Sequence, residues 1–70
     1  MVIKEAKKEY FRVDLFDTQN LVPMSIDEWE NEVINHINHF TIDRYCLAGV
    51  YTKRFLLNNV TWYIEKTYTL

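Results

Sequence analysis

The sequence contains one glycine, one proline, one cysteine and one serine: Gly49, Pro23, Cys46 and Ser25. Each scarcity excludes something. A single glycine leaves no Gly-rich loop to cradle a phosphate and no flexible linker between domains. A single cysteine excludes an internal disulfide framework and any multi-cysteine zinc site, and it fits a reducing compartment. No apolar run approaches the ~20 residues of a membrane span. The opening MVIKEAKKEY has no apolar stretch long enough for a secretory signal. No repeat or low-complexity tract is present. The chain therefore reads as a soluble, cytoplasmic protein with neither a membrane partner nor a cofactor.

What is present is aromatic. Two Trp, four Phe and five Tyr stand in 70 residues, and 49% of the chain is hydrophobic. A chain of this length forms one domain and buries only about 60% of its unfolded surface. Aromatic side chains, each covering roughly 150–250 Å², compensate for the small core. Abundant Asn, Ile, Lys and Tyr with little Gly, Pro and Ala looks like the product of an A/T-rich genome. Short accessory proteins of phages and mobile elements often share this flavour.

Charge is segregated along the chain. Residues 1–12 carry Lys4, Lys7, Lys8 and Arg12 against Glu5 and Glu9, a net of +2. Residues 13–43 carry Asp14, Asp17, Asp27, Glu28, Glu30, Glu32 and Asp43 with no Lys or Arg, a net of −7. Residues 44–70 carry Arg44, Lys53, Arg54 and Lys66 against Glu65, a net of +3. This order suits an acidic helix lying on a mildly basic sheet.

The clearest element is a helix over about 26–40. Ser25 followed by Glu28 reads as a capping box, and Met24 with Trp29 reads as a hydrophobic staple. Asp27 and Glu28 fall in the first turn, where the helix dipole favours negative charge. Pro23 bars an earlier start. Ile26, Trp29, Val33, Ile37 and Phe40 share one arc at 100° per residue and form the predicted core stripe.

Residues 9–16 alternate as a strand, and a hairpin is expected over about 45–69. In the hairpin, Asn58-Asn59 is a two-residue turn signal and Gly49 marks a bulge or bend. A tight turn sets Leu57 against Val60 and Phe55 against Trp62. Residues 1–8 either extend the first strand, form a short helix or stay mobile. The expected fold is a single α+β domain, β-α-β-β, with one helix packed on a three-stranded, mainly antiparallel sheet.

Glu32, His36 and His39 recur at helical spacing on the flank that Glu28 also lines. Two imidazoles and a carboxylate can hold a metal ion, but the spacing is not that of the helical zinc-protease motif. The rest of the chain adds no clear ligand: Asp43 is the best outside candidate, and Cys46, mid-strand in an apolar run, suits a structural thiol. The flank is therefore read as ordinary helix surface with i,i+4 Glu–His support, and no metal is expected. Ser25 is taken up by the cap, and Cys46 has no local signature of a nucleophilic dyad. General acid–base chemistry needs a partly dry pocket that 70 residues rarely enclose. No enzymatic activity is expected.

Binding remains. The predicted register places Tyr10, Arg12, Arg54 and Tyr63 together on the sheet face away from the helix. Tyr and Arg there are suited to protein contact, and a single helix leaves one sheet face and both edges to be covered by a partner or a twin subunit. The expectation is a protein-binding module, homodimerisation included, of phage accessory or inhibitor type. It would act through that face or through the acidic flank of Glu28, Glu32, His36 and His39. The alternative is a nucleic-acid-binding domain that stacks bases on the same aromatic and basic face. The net charge of −2 counts against it.

Overall fold

Two strands far apart in sequence lie side by side at the heart of the molecule. In the computed structural model, which describes residues 7–69, β1 (Lys7–Asp14) pairs along its whole length with β5 (Thr61–Tyr68). Between them run β2 (Val22–Met24), the single helix α1 (Ile26–Asn35), a 3₁₀ turn (Ile37–His39), β3 (Phe40–Leu47) and β4 (Val50–Leu57). All five strands form one antiparallel sheet in the order β2-β1-β5-β4-β3. The α+β class with one helix is as expected. The sheet, however, has five strands rather than three, and the element order is β-β-α-β-β-β rather than β-α-β-β.

The helix starts where the sequence places it. Ser25 Oγ accepts the Glu28 N–H at 3.2 Å, and Met24 packs against the cluster that contains Trp29. It ends at Asn35 rather than Phe40. Asn35 and Asn38 are poor helix formers at this end, and the backbone tightens. The His36 N–H bonds the Val33 carbonyl at 3.3 Å and the His39 N–H bonds the His36 carbonyl at 2.9 Å, which are 3₁₀-type contacts. Ile37, assigned to the core stripe, is consequently 66% exposed; Ile26, at the helix start, is 46% exposed although assigned to the same stripe.

Residues 45–57 are not one strand. Ala48 and Gly49 have φ of 53° and 79°, the pair of positive values a type I′ hairpin turn requires. Gly49 is therefore a turn residue, and β3 folds back on β4 from Leu47↔Val50 to Phe40↔Leu57. The added β2 is a short edge strand, where the missing N–H of Pro23 removes no interior ladder bond. The first strand covers Lys7–Asp14 instead of 9–16 and so takes in Lys7 and Lys8. The expectations for residues 1–6 lie outside the described residues.

One extra residue follows the β4–β5 turn. Asn58 and Asn59 form the expected turn, with φ of 51° and 60° and a Val60 N–H to Leu57 carbonyl bond of 3.0 Å. Val60 is then left over: its carbonyl accepts the Leu15 N–H at 2.9 Å, and pairing resumes at Leu57↔Thr61. Two residues oppose one, as in a β-bulge. Phe55 therefore faces Tyr63, not Trp62. Such a slip exchanges every side chain of β5 between faces.

The core follows from this register. Trp29, Phe55 and Tyr63 are buried between α1 and the sheet, with Tyr10, Met24, Val33, Phe40 and Leu57 packed around them. Ring pairs knit the layer: Tyr10–Trp29 at 5.1 Å, Trp29–Phe55 at 5.4 Å, and Phe40 against Phe55 and Tyr63 at 5.5 and 5.8 Å. No helix among the described residues is long and apolar enough to cross a membrane.

Candidate functional site

The slip sorts the predicted surface residues onto two faces. Paired residues in an antiparallel sheet point to the same side. Tyr10 pairs with Met24, and Arg12 with Tyr63, which pairs with Phe55; all of these lie on the helix side. Only Arg54 of the expected four faces away. Tyr10 is half-buried, Arg12 is exposed on the helix side and Tyr63 is a core residue, so the three do not join Arg54 in one patch.

On the helix side, Tyr63 meets part of the predicted acidic flank. Tyr63 Oη donates to Glu32 Oε2 at 3.3 Å, and His36 Nε2 lies 3.9 Å from the same oxygen. Burial pushes the Tyr63 hydroxyl above its ordinary pKa; the Glu32 charge and hydrogen bond add to this, and Arg12 partly opposes it. The Tyr10 hydroxyl is raised by burial, then by Glu65 and Glu30. These groups form the polar rim of the core. Glu28 stays at the exposed helix start, and His39 lies in the 3₁₀ turn, off the helix flank where the sequence places it. Among the described residues, no three His, Cys, Asp or Glu side chains converge to hold a metal ion.

The helix-free face has its own organisation. Arg54 stacks between two rings, 4.4 Å from the Trp62 centroid and 5.1 Å from that of Tyr45. Its Nε donates to Asp43 Oδ1 at 2.9 Å and its second nitrogen to Oδ2, a bidentate fork. That hydrogen bonding holds the Asp43 carboxyl below its usual pKa and raises that of Arg54. The strands explain the convergence: Asp43↔Arg54 is a β3–β4 pair, and Arg54↔Ile64 places Trp62 of β5 diagonally next to it. Further along, Lys66 lies 5.6 Å over the Phe11 ring. Beneath these long side chains Val13, Ile64 and Thr52 are buried although no second layer of described residues packs above them. Tyr45 and Leu47, at 45% and 72% exposed, mark the open margin toward β3.

Trp62, Tyr45 and Asp43 are the residues this face adds to Arg54. The period-2 pattern of β5 carried the signal for Trp62, but a two-residue loop put it on the wrong side. A separate open groove of about 430 Å³ lies at the sheet end that α1 does not reach. It is lined by Arg44, Cys46, Tyr51, Lys53, Glu65 and Thr67, among others. Cys46 is exposed there, on an edge strand, and is not the structural thiol the sequence suggests. No protein-family model matches the chain, and searches of curated proteins and of solved structures find no significant match.

Proposed function

We propose that this chain is a non-enzymatic protein-binding module that uses the helix-free face of its sheet. The observation that carries the reading is the Tyr45–Arg54–Trp62 stack pinned by Asp43. Trp, Tyr and Arg dominate binding energy in protein interfaces. Here the arginine is ordered before any partner arrives, which lowers the entropy cost of association. Asp43 already neutralises Arg54, which disfavours a phosphate backbone as the ligand. A phage-type accessory or inhibitor role is a narrower form of the same reading, with the acidic α1 (Asp27, Glu28, Glu30, Glu32) as its charged signature toward a basic partner.

A second reading has one observation in its favour: Arg44 and Lys53 flank exposed Tyr51 in the groove, a cationic and aromatic combination suited to single-stranded nucleic acid.

A tagged pull-down from the native host, with and without nuclease, separates the two, using the wild type and Trp62→Ala. Trp62 points away from the helix-side core, so circular dichroism of the variant is expected to match the wild type. The expected result is a stoichiometric protein that survives nuclease and is retained at least about tenfold less by Trp62→Ala, as for a hot-spot residue. Partners that disappear with nuclease and ignore Trp62→Ala would replace this reading with the nucleic-acid one.

A further inference from the structure

The two edges of the sheet are unequal. One edge, β2, is three residues long and contains Pro23; such an edge is protected against strand addition. The other, β3, is eight residues of unbroken strand, FTIDRYCL, with no proline, lysine or bulge. Apolar side chains stand exposed along it: Ile42 at 53%, and Ile37 in the turn that feeds the strand at 66%. Ile34, in the last turn of α1, is 64% exposed.

The geometry points to a second copy of this chain as the occupant, its β3 antiparallel to the first β3 about a two-fold axis at Ile42. The register follows from parity and charge. The two-residue turn at Ala48–Gly49 closes on a hydrogen-bonded Leu47·Val50 pair, and bonded pairs alternate from there. The backbone N–H and C=O groups of Thr41, Asp43, Tyr45 and Leu47 thus point to β4, and those of Phe40, Ile42, Arg44 and Cys46 point to the free edge. An antiparallel two-fold pair has its axis perpendicular to the sheet. Facing residues then share a side of the sheet, and one residue faces its own copy.

Asp43 on the axis would set two carboxylates opposite each other, and Arg44 two guanidiniums; both are destabilising. Tyr45 on the axis would set Asp43 against Leu47. Thr41 on the axis would pair only three residues of each strand. Ile42 on the axis pairs Phe40 through Arg44: Ile42 with Ile42, Arg44 with the Phe40 ring, and Asp43 with the Thr41 hydroxyl. Every facing pair is then apolar, cation–π or hydrogen-bonding. The assembly is a continuous ten-stranded sheet. Both helix-free faces lie on the same side of it, so the proposal leaves the surface of the preceding section open and stands without that reading.

Sedimentation or light scattering behind a sizing column tests the occupant. The full chain is expected at twice its 8.5 kDa mass at micromolar concentration, and Ile42→Lys at the monomer mass with an unchanged circular dichroism spectrum. Arg44→Pro removes one outward N–H and no β3–β4 bond, and is also expected to be monomeric. Register is tested by cross-linking in a Cys46→Ser background. Ile42→Cys places two thiols on a facing bonded pair, about 5.5 Å between Cα atoms, within disulfide reach. It is expected to form a dimer on mild oxidation, and Asp43→Cys is not. A wild-type chain that stays monomeric at all concentrations, a dimer that survives Ile42→Lys, or efficient cross-linking through position 43 but not 42 would each overturn the proposal. An unrelated extended peptide that pairs with β3 of a monomeric chain would be one form of the first outcome.

Discussion

A single residue, Val60, decides which side chains the molecule shows. The strand pattern of β5, the aromatic residues and the Asn58-Asn59 turn were all legible in the sequence; the bulge after the turn was not, because an apolar Val has no turn signature. Its consequence is local and chemical. Trp62 joins Arg54 on the open face and Tyr63 joins Trp29 in the core. Asp43 is the residue whose ionisation reports on that open face. Its folded pKa is depressed by Arg54, so the pair adds stability above the unfolded carboxylate value of about 3.9 and loses it as pH falls through the lower folded value. The two side chains are 32% and 40% exposed, so solvent screening keeps the increment below about 1 kcal/mol. The melting temperature of Asp43→Asn is therefore expected to fall below that of the wild type at neutral pH and to converge with it in acid, once pH has dropped below the lowered folded pKa. A gap that persists at the acid end would show that the effect is not ionic.

Elements were legible where a local signal fixes them and obscure where only pairing does. The start of α1 is written in Ser25, Glu28, Met24 and Trp29, and it forms as read. Its end has no glycine cap, and Phe40 continues the helical arc by chance of phase while belonging to β3. The β3–β4 turn was hidden for a related reason: Ala48 is a poor residue for φ of 53°, so Ala-Gly does not announce a type I′ turn as Asn-Gly does. That misfit is itself testable. A non-glycine residue in the left-handed region costs roughly 1–2 kcal/mol, and Asn tolerates it better than Ala. Ala48→Asn is expected to stabilise the protein by up to about 1 kcal/mol, read as a higher urea midpoint at unchanged slope. A lower midpoint would mean that the turn gains something from alanine that its geometry does not reveal.

The whole molecule is a twisted sheet whose two sides solve the same problem differently. One is sealed by a short helix and an aromatic cluster; the other is shielded by its own long cationic side chains. The strand order was beyond the sequence because the β1–β5 pairing joins segments with no local relation, chosen only by what they bury together. That order makes β5 the middle strand, and without it neither β1 nor β4 has its inner neighbour. A chain ending before Thr61 is expected to give a circular dichroism spectrum without cooperative thermal unfolding; a sharp transition would assign β3 and β4 their own stability. The same order sets a timetable for synthesis. The strand that leaves the ribosome last of the five fills the sheet's centre, so the nascent chain carries exposed Trp, Phe and Tyr side chains until translation of that strand is complete. Closure of the sheet waits for that strand, and the interval before it emerges is when a chaperone or a protease meets this protein.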